Sequence, residues 1–210
     1  CHHLSPGRNL SPGRQKTFTQ RLRDRGILQM ENTPRKLTKA PGPLACFTGN
    51  YEWYTPPEIV EAARDVLGRI DLDPASTDIA NEVVRAAVYY TKEQDGLAQA
   101  WRGKVWLNPP YAYPLIAKFV EKLILHYMAG EVPEACMIAN AGTCTRWFQR
   151  LARVAAAICF PSGQVKFWGP KAKPGRRSPL PSAIFYLGPN VERFCERFSS
   201  FGVVMSRLTK

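Results

Sequence analysis

A short apolar run from Lys104 to Leu107 ends abruptly at Asn108-Pro109-Pro110-Tyr111. A strand that meets two consecutive prolines can neither continue its hydrogen-bonded ladder nor turn at once into a helix. The backbone there is stiff and extended. It holds one amide side chain, one backbone carbonyl and one aromatic ring in fixed relation at the carboxyl edge of a sheet. The Asn108 amide oxygen and the Pro109 carbonyl can each accept one N–H, and Tyr111 can stack on a ring face. Such a corner suits the exocyclic amine of a flat heterocycle. A bland surface turn is the competing reading, since Asn-Pro and Pro-Pro both mark loops.

The pattern around this corner is that of an α/β domain. Thr55-Pro56-Pro57-Glu58 has capping-box form, with Thr55 as N-cap, Pro56 at the first helical position and Glu58 at the third. Ile59, Ala62, Ala63, Val66 and Leu67 follow with helical spacing, and Gly68 ends the helix. Ile70 to Pro74 reads as a short strand, and a less regular stretch runs to Tyr90. Helices are expected over 115–128, 145–152 and 190–198. Strands are expected over 134–140, 155–160, 164–167, 183–187 and 202–206. The alternation predicts a single domain with a central, mostly parallel sheet and helices on both faces. Ligands of such sheets bind at the carboxyl ends of the strands, where Asp73-Pro74 and Asn108-Pro109 both fall.

Charge narrows the partners. The 210 residues carry a formal net charge of +12, a surplus that favours a polyanion such as nucleic acid or an anionic surface. No run of 18 apolar residues exists, so no transmembrane helix and no membrane partner are expected, and the N-terminus lacks a signal-peptide core. The chain does not open on Met, which fits a fragment or a processed form. Six scattered cysteines without a C-x-x-C pair, and three histidines, argue against a metal site and for reduced thiols in a cytoplasmic protein.

Residues 1–45 stand apart from the domain at 46–210. They hold the near-repeat Leu4-Ser5-Pro6-Gly7-Arg8 and Leu10-Ser11-Pro12-Gly13-Arg14, a basic run, and Pro41-Gly42-Pro43. They read as a flexible basic arm. A second basic stretch joins Lys166 to Lys171, Lys173, Arg176 and Arg177 with no acidic residue between them. That composition suits contact with phosphates; a solvated loop is the alternative. Trp168 beside it either stacks on a base or covers the edge of the core.

Taken together the residues resemble the small phage and prophage Dam-like DNA adenine-N6 methyltransferases. The resemblance runs from about Tyr51 to Gly202. It is carried by Glu52-Trp53-Tyr54-Thr55-Pro56, Asp71-Leu72-Asp73-Pro74-Ala75-Ser76, Tyr90-Thr91-Lys92-Glu93, Asp95-Gly96-Leu97, Trp101 through Tyr111, Trp147-Phe148 and Gly163 through Phe167. It implies a Rossmann-like core and S-adenosylmethionine as cofactor. It further implies that Trp53, Thr55 and Pro56 lie beside the cofactor's methionine part. Asp73, with Pro74, would accept from a ribose hydroxyl or the methionine ammonium, and Asp95 from the adenine amine. The glycine-rich loop usual after the first methyltransferase strand is absent; Asp73-Pro74-Ala75-Ser76 stands in its place.

The chemistry implied is methyl transfer to an adenine amine of double-stranded DNA, with Asn108, Pro109, Pro110 and Tyr111 as the catalytic corner. The target base must leave the duplex to reach it, and Tyr111 is placed to stack on it. Cytosine-C5 transfer would use a Pro-Cys dipeptide, and none occurs. Transfer to cytosine N4, RNA or a glutamine amide stays open, as does a catalytically silent DNA-binding protein. Neither the recognition sequence nor the oligomeric state is legible.

Overall fold

A computed structural model of the chain describes residues 53–169 and 180–207. The expected arm at 1–45 and the basic residues Lys171, Lys173, Arg176 and Arg177 lie outside the described residues.

Within them, seven strands form one sheet. They are β1 (Leu72–Asp73), β2 (Val88–Tyr89), β3 (Val105–Leu107), β4 (Ala135–Asn140), β5 (Ala157–Pro161), β6 (Ser182–Leu187) and β7 (Gly202–Ser206). The helices are α1 (Pro57–Leu67), α2 (Asp78–Val84), α3 (Leu115–Ala129), α4 (Arg146–Val154) and α5 (Val191–Phe198). The sheet order is β2-β1-β3-β4-β6-β5-β7. β1 pairs in parallel with β2 and β3, and β3 with β4. β6 is antiparallel to both its neighbours, and β7 is antiparallel to β5. Five strands therefore run one way and two the other, so the sheet is mixed towards its β7 edge. This is an α/β fold of the Rossmann-like methyltransferase kind.

Alternation along the strands splits the core in two. Trp106, Cys136, Ile138, Ile184 and Tyr186 face α1 and α5, meeting Val60, Ala63, Leu67, Phe194 and Phe198. Val105, Leu107, Met137, Phe185 and Leu187 face α3 and α4, meeting Phe119, Val120, Leu123, Phe148 and Leu151. From β1 the chain steps to β2 on one side, then crosses back to β3 on the other. The direction of winding reverses between β1 and β3, and the carboxyl ends of strands at such a reversal are where sheets of this class bind ligands.

Three local expectations need correction. α1 begins at Pro57, one residue late, and its N-cap is Pro56 rather than Thr55. Pro57 disfavours helical ψ in the residue before it, so Pro56 is held extended at ψ 139° and cannot be the first helical residue. The stretch after β1 contains a seven-residue helix, α2, capped by Thr77, whose side chain accepts from the Ala80 N–H. Residues 164–167 form no strand; the nearest pairing is a single antiparallel bridge between Tyr54 and Trp168.

Candidate active site

The proline corner sits where β3 leaves the sheet. Leu107 is the last strand residue, Pro109 is buried and Pro110 exposed. The Asn108 Nδ2 donates to the Trp53 carbonyl at 2.9 Å, and the Tyr111 hydroxyl donates to Asn108 Oδ1 at 3.0 Å. The carboxamide is thus oriented from both ends. A carboxamide oxygen has two lone pairs, and Tyr111 uses one of them. The Pro109 carbonyl accepts no hydrogen bond among the described residues. Burial pushes the Tyr111 hydroxyl well above the ordinary phenol range, so it stays a donor. Its ring meets Phe167 edge-on at 6.3 Å between centroids.

The Trp53–Thr55 segment is strapped across this corner. Tyr54 and Trp168 exchange both backbone bonds, at 2.7 and 3.0 Å, and the Trp168 indole donates to the Thr55 carbonyl at 3.2 Å. The Trp168 ring packs edge-on against Tyr54, covering the core edge. Phe167 lies between the rings of Trp53 and Tyr111, edge-on to each. Thr55 is buried, and with Pro56 as N-cap its hydroxyl has no capping task. Among the described residues its Oγ1 has no hydrogen-bond partner.

On the neighbouring strand, Asp73 ends β1 and is 3% exposed. Burial raises its carboxyl from the ordinary range to about 7, against the pull of the Ala75 N–H and the Ser76 hydroxyl beside it. The Ala75 N–H donates to its Oδ1 at 3.2 Å. The paired residues Leu72 and Val105 place Asp73 level with Trp106, so Asn108 lies one strand across and two residues beyond. At sheet spacing that is about 8 Å between Cα atoms.

Asp95 is exposed and takes the left-handed conformation, φ 47°. Its Oδ1 accepts from the Leu97 N–H at 3.1 Å. The next residue presses on the backbone of the Asp73 loop: a Cβ on Gly96 would stand 1.9 Å from the Pro74 carbonyl oxygen. Pro74 is buried by this contact. The loop is tied down from behind. The buried Trp101 indole donates to the Gly96 carbonyl at 2.7 Å, and Lys122 on α3 donates to the carbonyls of Leu97 and Gln99 at 2.6 and 2.5 Å. Asp73 and Asp95 therefore belong to one packed unit at the β1 edge.

Trp53, Thr55, Pro56, Asp73, Pro74, Asp95 and Asn108 to Tyr111 are all brought to the carboxyl edge of the sheet. Lys166 is exposed between the buried Val165 and Phe167, on the segment that carries Trp168. Three further polar residues near this edge carried no sequence signal: Lys122 lies inside the expected helix 115–128, Asn140 at the end of the expected strand 134–140, and Ser182 just before the expected strand 183–187. Among the described residues Cys136, Cys144, Cys159 and Cys195 are free thiols, and no helix is long and apolar enough to cross a membrane.

Comparison with known proteins agrees with this architecture. The family model described as DNA N-6-adenine-methyltransferase (Dam) matches residues 49–192. A DNA N-6-adenine-methyltransferase of Escherichia phage T1 is 35% identical over 109 residues, covering 50% of this chain and 42% of that protein. One of Haemophilus phage HP1 (strain HP1c1) is 28% identical over 112 residues, covering 51% of this chain and 60% of that protein. The match thus spans about half the length of these relatives.

Proposed function

The chain belongs to the DNA N-6-adenine-methyltransferase (Dam) family, and we propose that it methylates the exocyclic amine of an everted adenine in double-stranded DNA, with S-adenosylmethionine as donor. The observation that carries this reading is the doubly anchored carboxamide of Asn108 at the switch point of the sheet.

The residues at this edge suit that donor. Asp73 is a buried acceptor next to the switch point, and Thr55 Oγ1 is a buried hydroxyl without a partner. Unsatisfied buried polar atoms are rare and mark places where a partner binds. In this reading Asp73 accepts from a ribose hydroxyl or the methionine ammonium. Thr55, with Trp53 and Pro56, lines the methionine end near the N-terminus of α1, where a carboxylate is favoured. Asp95, with Pro74 packed behind it, accepts from the adenine amine of the cofactor. S-adenosylmethionine, when bound, supplies an electrophilic methyl group on a sulfonium.

The chain's own residues supply position and field. The free lone pair of Asn108 Oδ1 and the Pro109 carbonyl hold the two protons of the substrate amine. That draws the nitrogen lone pair out of the ring and towards the donor side. Pro110 keeps the corner rigid, so no reorganisation is needed at the moment of reaction. Tyr111 keeps the carboxamide from rotating and offers its ring to the base. Among the described residues no strong base stands at the corner, and none is required, because the amine protons become acidic only as the nitrogen gains its fourth bond.

Lys166, together with Lys171, Lys173, Arg176 and Arg177, would track the DNA phosphates beside the crevice. In this reading the basic arm at 1–45, apart from the domain at 46–210, would make non-specific contacts with DNA, and the reaction would take place inside the host cell. Incubation with S-adenosylmethionine and mixed duplex DNA, followed by nucleoside analysis, tests the reading. N6-methyladenine in DNA is expected. N4-methylcytosine, methylated RNA, or no methylated nucleoside would overturn it.

A further inference from the structure

Asn140 and Ser182 are the last residue of β4 and the first of β6, and they are directly paired across the antiparallel ladder. Both side chains project on the same face as Ile138 and Ile184, the face that carries α1 and α5. Asn108 is on that face too, two residues after Trp106, and Asp73 follows the oppositely facing Leu72. Four polar residues on four adjacent strands therefore form one row at the carboxyl edge: Asp73, Asn108, Asn140 and Ser182.

The far end of that row is unsatisfied. Ser182 is 3% exposed and its Oγ has no hydrogen-bond partner, nor has the buried Asn140 Oδ1. The backbone around them is complete, since the Ala141 N–H donates to the Pro181 carbonyl at 2.7 Å. Only the side chains are left over. Among the described residues four buried side-chain polar atoms lack a partner. One is Arg64 Nη1, which nevertheless lies in an ion pair with Glu61. The other three are Thr55 Oγ1 on the donor side of Asn108 and this pair on the opposite side. Burying such atoms costs stability, so a fold that keeps two facing one another beside a reactive corner implies a ligand that satisfies them.

The geometry names the ligand. The register of β3 with β4 puts Asn140 one strand across from Asn108 and two residues beyond its level, about 8 Å between Cα atoms. A purine held by its exocyclic amine at Asn108 spans that distance with its ring. The ring nitrogens of adenine are acceptors only. The Ser182 hydroxyl can donate to one. No hydrogen bond among the described residues holds the Asn140 carboxamide, so a half-turn about its terminal bond puts the amide N–H in the buried place that Oδ1 occupies, where a ring acceptor satisfies it.

We propose that Asn140 and Ser182 form the ring-edge subsite of the target base, donating to adenine ring nitrogens while Asn108 and Pro109 hold its amine. The inference rests on the adenine-methylation reading above and adds to it the pair that recognises the ring. A site built to hydrogen-bond a substrate discriminates strongly against an analogue lacking that atom.

The test uses the full chain, Ser182→Ala and Asn140→Ala, on duplex DNA prepared with adenine, with 7-deazaadenine, or with 1-deazaadenine. Wild-type transfer to adenine DNA is the first arm; its failure sinks the adenine reading and this inference with it. With that arm working, each variant is expected to lose at least about ten-fold in kcat/KM on adenine. It should lose little further on the deaza analogue lacking its partner atom, while binding S-adenosylhomocysteine normally by calorimetry. Because an unsatisfied group is being removed, the thermal midpoint should hold or rise. Turnover within two-fold of wild type, losses that add fully on both analogues, or loss of folded protein in both variants would overturn this inference alone.

Discussion

Trp53 and Asn108 are 55 residues apart in sequence, yet the carbonyl of one accepts from the carboxamide of the other at 2.9 Å. The bond gives the amide nitrogen to the protein, while the oxygen, bonded once by Tyr111, keeps a lone pair for a ligand. Asn108→Ala is therefore expected to lower methyl transfer by about 10²–10³-fold, the range for removing one preorganised polar group. Binding of S-adenosylhomocysteine, followed by calorimetry, should be largely kept. Near-normal turnover would remove Asn108 from the chemistry.

Tyr111→Phe separates the two tasks of the tyrosine. The ring and its contact with Phe167 remain, while the donor to Asn108 Oδ1 is lost. A drop of about ten-fold in kcat is expected, in line with the loss of one neutral hydrogen bond. The pH–rate profile should keep its shape, because burial holds this hydroxyl protonated throughout the working range. A profile that changes limb would assign the tyrosine a proton-transfer role instead.

The role proposed for Asp73 predicts that binding of the donor depends on pH. Its folded carboxyl titrates near 7, so below that value the site holds a proton that a hydrogen-bond donor must displace. Affinity for S-adenosylmethionine should rise about ten-fold per pH unit up to about 7 and then level off. Calorimetry in buffers of different ionisation enthalpy should show proton release on binding at pH 6. The sign for folding is the reverse. The folded state binds the extra proton, so the contribution of Asp73 to stability declines as pH rises from the unfolded value near 3.8 through about 7. Asp73→Asn should flatten both dependences; an unchanged pH profile of binding would exclude Asp73 from the site.

Gly96→Ala puts a methyl group where the Pro74 carbonyl already stands. The loop has no slack, because Trp101 and Lys122 hold it from behind. A loss of about 1–3 kcal/mol in denaturant unfolding is expected, together with weaker cofactor binding. An unperturbed variant would mean that the loop relaxes freely.

Lys166→Glu tests the DNA face. Its exposure should make the change harmless to folding. The slope of log affinity against log salt should become shallower by at least about one, for duplex DNA of any sequence. An unchanged slope would move the phosphate contacts elsewhere.

Much of the site was legible because proline and aspartate announce themselves. Asn108-Pro109-Pro110-Tyr111 must end a strand, and Asp73-Pro74 must end another, so their meeting at one sheet edge followed from alternation alone. Thr55 was misread as a cap because the pattern Thr-x-x-Glu ignores what the second proline does to the first. α2 was missed because seven residues carry too little periodicity to show. The opposition of Asn140 and Ser182 was invisible for a different reason. It depends on β6 entering the sheet antiparallel beside β4, a pairing across 42 positions that no local pattern encodes.

α3 starts four residues after Tyr111, and one side chain in its middle, Lys122, grips the stretch that follows Asp95. The helix ties the proline corner to the loop beside Asp73. A displacement of the Asp95 stretch would therefore pull on the helix that follows Tyr111, and the seats proposed for donor and acceptor share one mechanical support.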